Sequence, residues 1–176
     1  VIVSAANLNI VANDIIIPQG TSLVILQNEI PQEVNMEVAL KAKKVDAEVW
    51  LNAAPARELP NRLVKVVDLL IVNQVEAEFY SSLNRSVKVL KTLGAQGVYY
   101  DDVLYSGFSV DVVSTHGAGD MFVGALAAQV VRGTPMVEAI RFAQAAAALT
   151  VSSQQEKRKD LRAQSVIKFL ASQDSL

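Results

Sequence analysis

The stretch Val112–Gly133, VVSTHGAGDMFVGALAAQVVRG, decides how the chain is read. It opens on a β-prone run, tightens at Gly117-Ala118-Gly119 and continues into a helix. Two glycines around an alanine leave backbone N–H groups unshielded by side chains. At a helix start such groups have no intrahelical partner, and the helix dipole adds positive potential there. An anion, above all a phosphate, is the natural guest. Asp120 follows directly. Its charge makes it a poor phosphate ligand, but a general base belongs beside a phosphoryl group. A plain strand-to-helix turn with an acid in the first helical turn would use the same letters.

Working outward, STHGAGDMFVGALAA resembles the signature of the ribokinase-type (PfkB) carbohydrate kinases, D-T-x-G/A-A-G-D-T-F-x-G-A-L. Five further segments resemble the family in its own order: NEIP from Asn28, LNAAPARELP from Leu51, NQVEAE from Asn73, TLGAQGV from Thr92 and EAIRFAQAAAAL from Glu138. The resemblance implies an α/β fold, a doubly wound, mostly parallel sheet with helices on both faces. It implies transfer of the γ-phosphoryl of ATP to a sugar hydroxyl. Asp120 would act as general base, with Gly117, Ala118 and Gly119 as the anion hole. Glu29 would bind sugar hydroxyls. Asn73, Thr92, Gly94, Gly97, His116 and Gln144 would lie along the nucleotide. Glu76 would act through water on the accompanying Mg²⁺, an ion that keeps much of its hydration shell. Ribose is the first substrate to expect, with another pentose, a hexose or a nucleoside as alternatives. A homodimer is compatible with the resemblance.

Composition limits the other classes. The 176 residues are 51% apolar and 19% charged, as in a globular chain expected to form one domain. No apolar run reaches the ~20 residues that span a bilayer, and the start lacks a basic segment of the secretory kind. There is no cysteine, so disulfides and thiolate zinc sites are excluded. A net charge of −2 without a basic cluster gives nucleic acid no footprint. A cytoplasmic enzyme fits these features.

Along the chain, Val1–Ala6 reads as a buried strand leading to Asn7. Ser22–Leu26 reads as the next strand, after a Pro18-Gln19-Gly20 turn. It leads to Glu29, at the strand end where open α/β sheets bind ligands. Without a ligand, Glu29 would compensate the dipole of the following helix. Pro31–Val45 has helical spacing in Val34, Val38, Ala42 and Val45, with Glu33 and Glu37 early and Lys41, Lys43 and Lys44 late. Those charges read as a solvated face. Strands follow at Glu48–Leu51, Val66–Val72 and Ser86–Leu90. Taken alone, Asn73-x-x-Glu76 is a helix-capping pattern. Thr92–Gly97 reads as a tight turn, which the resemblance places beside the nucleotide. Val98–Tyr100 and Phe108–Val113 read as antiparallel strands around Asp101-Asp102, a polar turn and not a catalytic pair. Gly133 stops the central helix and Pro135 starts the next. Ser152–Asp160, SSQQEKRKD, reads as a solvated loop. Leu161–Leu170 reads as a closing helix with Ala163, Val166, Ile167 and Leu170 on one face.

Some positions depart from the family pattern. Ser114 stands where the family carries an Asp beside a potassium ion, and the later cation loop is not recognisable, so monovalent-cation binding is expected to be weak or absent. His116 stands where Thr or Ile is common, and a turn contact to the nucleotide is its expected role. The family's N-terminal part, with an early Asp, a G-G motif and a β-strand lid, has no counterpart in these residues, and the linker after Glu76 is short. The resemblance therefore implies a molecule longer than these 176 residues, with an incomplete sugar site here. A catalytically silent relative acting as a binding module is one rival. A dinucleotide-binding domain is another, but no G-x-G-x-x-G follows the first strand with an acid ~20 residues on.

Overall fold

The computed structural model describes residues 9–83 and 87–173. The strand expected at Val1–Ala6, Asn7 and the first residue of the strand expected at Ser86 lie outside them. The described strands are β1 (Leu23–Gln27), β2 (Glu48–Asn52), β3 (Leu69–Asn73), β4 (Lys88–Thr92), β5 (Gly97–Tyr100) and β6 (Val103–Ser106). The helices are α1 (Gln32–Lys43), α2 (Asn61–Val64), α3 (Gln74–Phe79), α4 (Ala118–Val131), α5 (Met136–Ser152), α6 (Gln155–Arg158) and α7 (Ala163–Gln173). The strands form one mostly parallel sheet in sequence order, the α/β class expected. The chain divides into two compact units, one running to Thr92 with Tyr99–Asp102, the other Leu93–Val98 with Val103 onward.

In the first unit β1 to β4 pair in parallel, with Leu23 opposite Glu48, Trp50 opposite Leu69 and Leu69 opposite Lys88. The inner strands are apolar on both faces, as parallel strands covered by helices must be. Val49, Trp50 and Leu51 of β2 and Leu69–Val72 of β3 are all buried. Helix α1 turns Val34, Val38, Ala39 and Ala42 into this core. Lys41 is not part of a merely solvated face. Its Nζ donates to the carbonyls of Ala12 and Ile15, at 2.6 and 2.9 Å, and ties down the segment before β1. Lys43 pairs with Asp68, whose carboxylate also accepts the Val49 N–H at 2.7 Å.

In the second unit α4 packs on α5 and α5 on α7. Small side chains permit a close approach: Ala139, Ala143 and Ala145 of α5 are fully buried beside Ile140. Gly133 ends α4 with φ 84°, its N–H bonded to Val130 O at 2.9 Å, and Thr134 N–H reaches Gln129 O at 3.1 Å. This is the left-handed stop expected there.

Three expectations are corrected. The strand after the Asp101-Asp102 turn is Val103–Ser106, not Phe108–Val113. Both turn residues have positive φ, 51° and 60°, the geometry of a two-residue hairpin turn, so the return strand starts at once. Phe108 instead packs edge-on against Phe169 at 5.2 Å, and Val112 and Val113 are exposed. The segment SSQQEKRKD is not a plain loop: α5 runs through Ser152, and α6 forms within it. In α7, Val166, Phe169 and Leu170 join the core cluster, while Ile167 is half exposed.

Candidate active site

Parallel register brings the ends of β1 to β4 to one edge, with Gln27 opposite Asn52 and Asn73 opposite Thr92. Asn28-Glu29 and Asn73 emerge there, at the carboxyl ends of the strands, where open α/β sheets hold ligands. A buried network fixes the first of these exits. Asn28 Nδ2 donates to Pro55 O at 3.0 Å and to the Tyr80 hydroxyl at 3.1 Å. The hydroxyl donates to Arg57 O at 2.7 Å and accepts the Arg57 N–H at 2.9 Å. Burial pushes the Tyr80 pKa above its ordinary 10.0, against the lowering effect of the Arg57 and Asn28 hydrogen bonds. Sequence reasoning did not find this network, because Tyr80 reads as one more apolar position of a short helix.

Glu29 lies in the turn between β1 and Pro31, the N-cap of α1. The acid in the first turn of α1 is Glu33, and Glu29 stands two residues ahead of the N-cap. It lines a cleft of about 450 Å³, together with Ile15, Ile17, Gln27 and Ile30.

Asn73 and Glu76 form a reciprocal capping box. Glu76 N–H donates to Asn73 Oδ1, and Asn73 N–H to Glu76 Oε2, both at 2.9 Å. Glu76 is buried. The pair thus starts α3 directly at the end of β3, and Thr92 Oγ1 sits one strand over, donating to Val72 O at 3.3 Å. Asn73→Ala is expected to lower stability by about 1 kcal/mol through loss of the cap, measurable by denaturant unfolding.

The second unit holds the turn expected to bind an anion. Gly117 is the N-cap of α4 with φ 76° and ψ 4°, a left-handed conformation that glycine adopts without penalty. Ala118 N–H closes back on Thr115 O at 3.3 Å, and the first intrahelical bond runs from Met121 N–H to Gly117 O at 3.0 Å. The N–H groups of Gly119 and Asp120 therefore precede the helical ladder. Gly119 and Asp120 are exposed, and Asp120 is the acid of the first turn. His116, also exposed, donates its N–H to Ser114 Oγ at 3.3 Å.

The turn is fixed from behind. Val113 and Ser114 N–H both donate to Val151 O, at 2.8 and 3.0 Å. Arg158 of α6 donates from Nη1 to His116 O at 2.7 Å, from Nη2 to Ser114 O at 2.9 Å and from Nε to Ser153 O at 3.3 Å. Arg158 is a residue that sequence reasoning missed, because a run of charges carries no sign of which one turns inward.

The remaining expected nucleotide residues of this unit lie apart from the anion turn in sequence and bond elsewhere. Gln144 is buried, with Nε2 donating to Tyr105 O at 2.8 Å and Ser106 O at 3.3 Å. Gly94 opens a single 3-10 turn, Gly94–Gln96, and Gly97 caps its C-terminal end.

The model of the pfkB family carbohydrate kinases matches residues 4–160. Ribokinase of Bacillus subtilis is 35% identical over 147 residues, covering 77% of this chain and 50% of the relative. Pseudouridine kinase of Escherichia coli is 34% identical over 111 residues, 60% of this chain and 34% of that protein. Among solved structures, Arabidopsis thaliana ribokinase, complexed with ribose and ATP, superposes with a TM-score of 0.75 at 30% identity, covering 84% of this chain and 55% of that one. The chain spans about half the length of the ribokinases it matches.

Proposed function

The chain belongs to the pfkB family of carbohydrate kinases, and from that premise we propose that it forms part of an ATP-dependent kinase of ribose or a related sugar. The observation that carries the reading is the start of α4, where a left-handed Gly117 and N–H groups ahead of the helical ladder stand beside an exposed carboxylate. In this reading the anion turn receives the transferred phosphoryl, whose transition state needs positioning and charge stabilisation more than covalent chemistry. Asp120 accepts the proton of the sugar hydroxyl as its oxygen bonds to the γ-phosphorus. The bond from that phosphorus to the bridging oxygen breaks, and ADP leaves. Thr92, Gly94, Gly97, His116 and Gln144 are assigned to the nucleotide side.

Magnesium, when bound with the nucleotide, neutralises charge on the phosphate oxygens. Glu76 fits a role behind that ion. One carboxylate oxygen is committed to the cap, and a carboxylate retains acceptor capacity on its other oxygen for a metal-bound water. A cytoplasmic location belongs to the same reading. Among the described residues no helix is long and apolar enough to cross a membrane.

Substrate choice rests on Glu29. Ribose is favoured by the ribokinase relatives, and the similarity to pseudouridine kinase keeps nucleosides as the alternative. Glu29→Ala is expected to weaken sugar binding by roughly 1.5–3 kcal/mol, the worth of a charge-assisted hydrogen bond, while sparing ATP affinity. Calorimetric titration of ribose and of MgATP into both proteins measures this, and unchanged sugar affinity would remove Glu29 from the site. The activity itself is tested by ribose-dependent ADP formation. A protein that neither binds MgATP nor forms ADP would be a silent relative.

A further inference from the structure

Arg158 makes three hydrogen bonds, all to backbone carbonyls: His116 O, Ser114 O and Ser153 O. Several carbonyl oxygens gathered on one positive charge is the donor set of a bare monovalent cation. Here a guanidinium takes it. A monovalent metal ion fits the chain's own residues poorly, since Ser114 brings no carboxylate, its hydroxyl accepts the His116 N–H and its carbonyl is bonded to Arg158.

The consequence reaches the anion turn through peptide geometry. In a planar trans peptide the carbonyl and the following N–H point to opposite sides. Holding His116 O on the guanidinium therefore directs the Gly117 N–H away from Arg158, and Gly117 is the N-cap of α4. The guanidinium also sets a full positive charge 2.7 Å from that carbonyl oxygen. Arginine keeps its charge at every working pH, and its planar fork orients two carbonyls at once.

Building on the kinase reading, we propose that Arg158 is a built-in cation for the anion turn, a positioning residue that sets the Gly117 peptide and lets the turn bind phosphate without a monovalent metal ion. Arg158→Met removes the charge and all three donors while keeping an unbranched side chain. Arg158→Lys restores the charge without the fork. Both, with Arg158→Gln as a parallel variant should Met prove insoluble, are compared with the wild-type full-length protein. MgADP affinity is measured by calorimetry, and melting is followed in potassium chloride, in millimolar guanidinium chloride and in tetramethylammonium chloride at equal ionic strength.

Wild type is expected to bind and melt alike in all three salts. Arg158→Met should bind MgADP at least about tenfold more weakly in tetramethylammonium, the loss expected for charge-assisted hydrogen bonds, and recover when guanidinium or potassium enters the vacated carbonyl site. Arg158→Lys should fall between the two without added ion. Wild-type affinity in Arg158→Met, or a loss that neither small cation restores, overturns the proposal, the second outcome marking Arg158 as structural only. Potassium-dependent binding by wild type also overturns it. If wild type binds no MgADP, the kinase reading fails instead. The Arg158 assignment is then decided by melting: guanidinium or potassium should raise the melting temperature of Arg158→Met and not that of wild type, and its absence refutes the assignment.

Discussion

Asp120→Asn is expected to abolish sugar phosphorylation and to leave MgATP binding intact or tighter. The attacking hydroxyl must lose a proton as its oxygen reaches the γ-phosphoryl. Asp120 is the carboxylate in the first turn of α4, exposed to solvent and one residue beyond the Gly117-Ala118-Gly119 turn. Asparagine preserves the size and the helix-start geometry but cannot take the proton. Loss of a general base costs about 10²–10⁴-fold in rate. Removing a negative charge beside bound phosphate relieves like-charge repulsion, so nucleotide affinity holds or improves. A residue that served only the helix dipole would give the reverse, a stability loss of about 0.3–1 kcal/mol with turnover unchanged. Single-turnover kinetics, MgATP titration and thermal melting on both proteins separate the two. A single-turnover rate within about threefold of wild type is too small a loss for a general base, and would take Asp120 out of the mechanism.

Where local rules and packing agree, the sequence is a direct guide. The unbroken apolar runs around Trp50 and Ile71 became buried parallel strands, and Gly117, Gly133 and Pro135 became the N-cap, stop and restart around α4 and α5. Misreadings arose where a distant partner decided the outcome. Phe108–Val113 has the composition of a strand, but Phe108 packs edge-on against Phe169 and the Val113 N–H goes to Val151 O. Lys41 sits among solvated lysines, yet its ammonium is spent on carbonyls 26 and 29 residues away. Arg158 reaches 42 and 44 residues back to the anion turn, a distance no local pattern encodes. At Asn73 and Glu76 the capping box is formed, at the carboxyl end of β3, and the same geometry is compatible with the role proposed for Glu76 behind magnesium. One geometry can serve both, so the letters alone could not choose.

Gly97→Ala is expected to be the more destabilising of the two single-methyl changes at the glycines of the Thr92–Gly97 turn, and the contrast with Gly94→Ala tells what each glycine is for. Gly97 has φ 118° and ψ −139°, a region open essentially to glycine and costing other residues about 1–3 kcal/mol. Space is a second obstacle. A Cβ there would lie 2.0 Å from Tyr105 O and 2.6 Å from Gly107 N. Both are backbone atoms, so no side chain can swing aside. They are also held from the other side, Tyr105 O by Gln144 Nε2 and Gly107 N by Gln96 O. Relieving the overlap would break those bonds together with the Leu93 N–H to Gly97 O link of 2.8 Å that closes the turn. Strain of about 1–3 kcal/mol and overpacking of about 1–3 kcal/mol add, which places the loss at about 4 kcal/mol. Gly94 has φ 58° and nothing within 4 Å of an added Cβ, so alanine there costs only the left-handed penalty of about 1–2 kcal/mol. Denaturant unfolding measures both. Gly94→Ala is expected to remain folded, so its MgATP affinity is the clean probe of the turn as a nucleotide contact, whereas a binding loss in Gly97→Ala is expected to follow from the fold. If Gly97→Ala unfolded at the wild-type midpoint, the close approach of Gly97 to Tyr105 would not be maintained in solution, and its glycine would be there for the ligand.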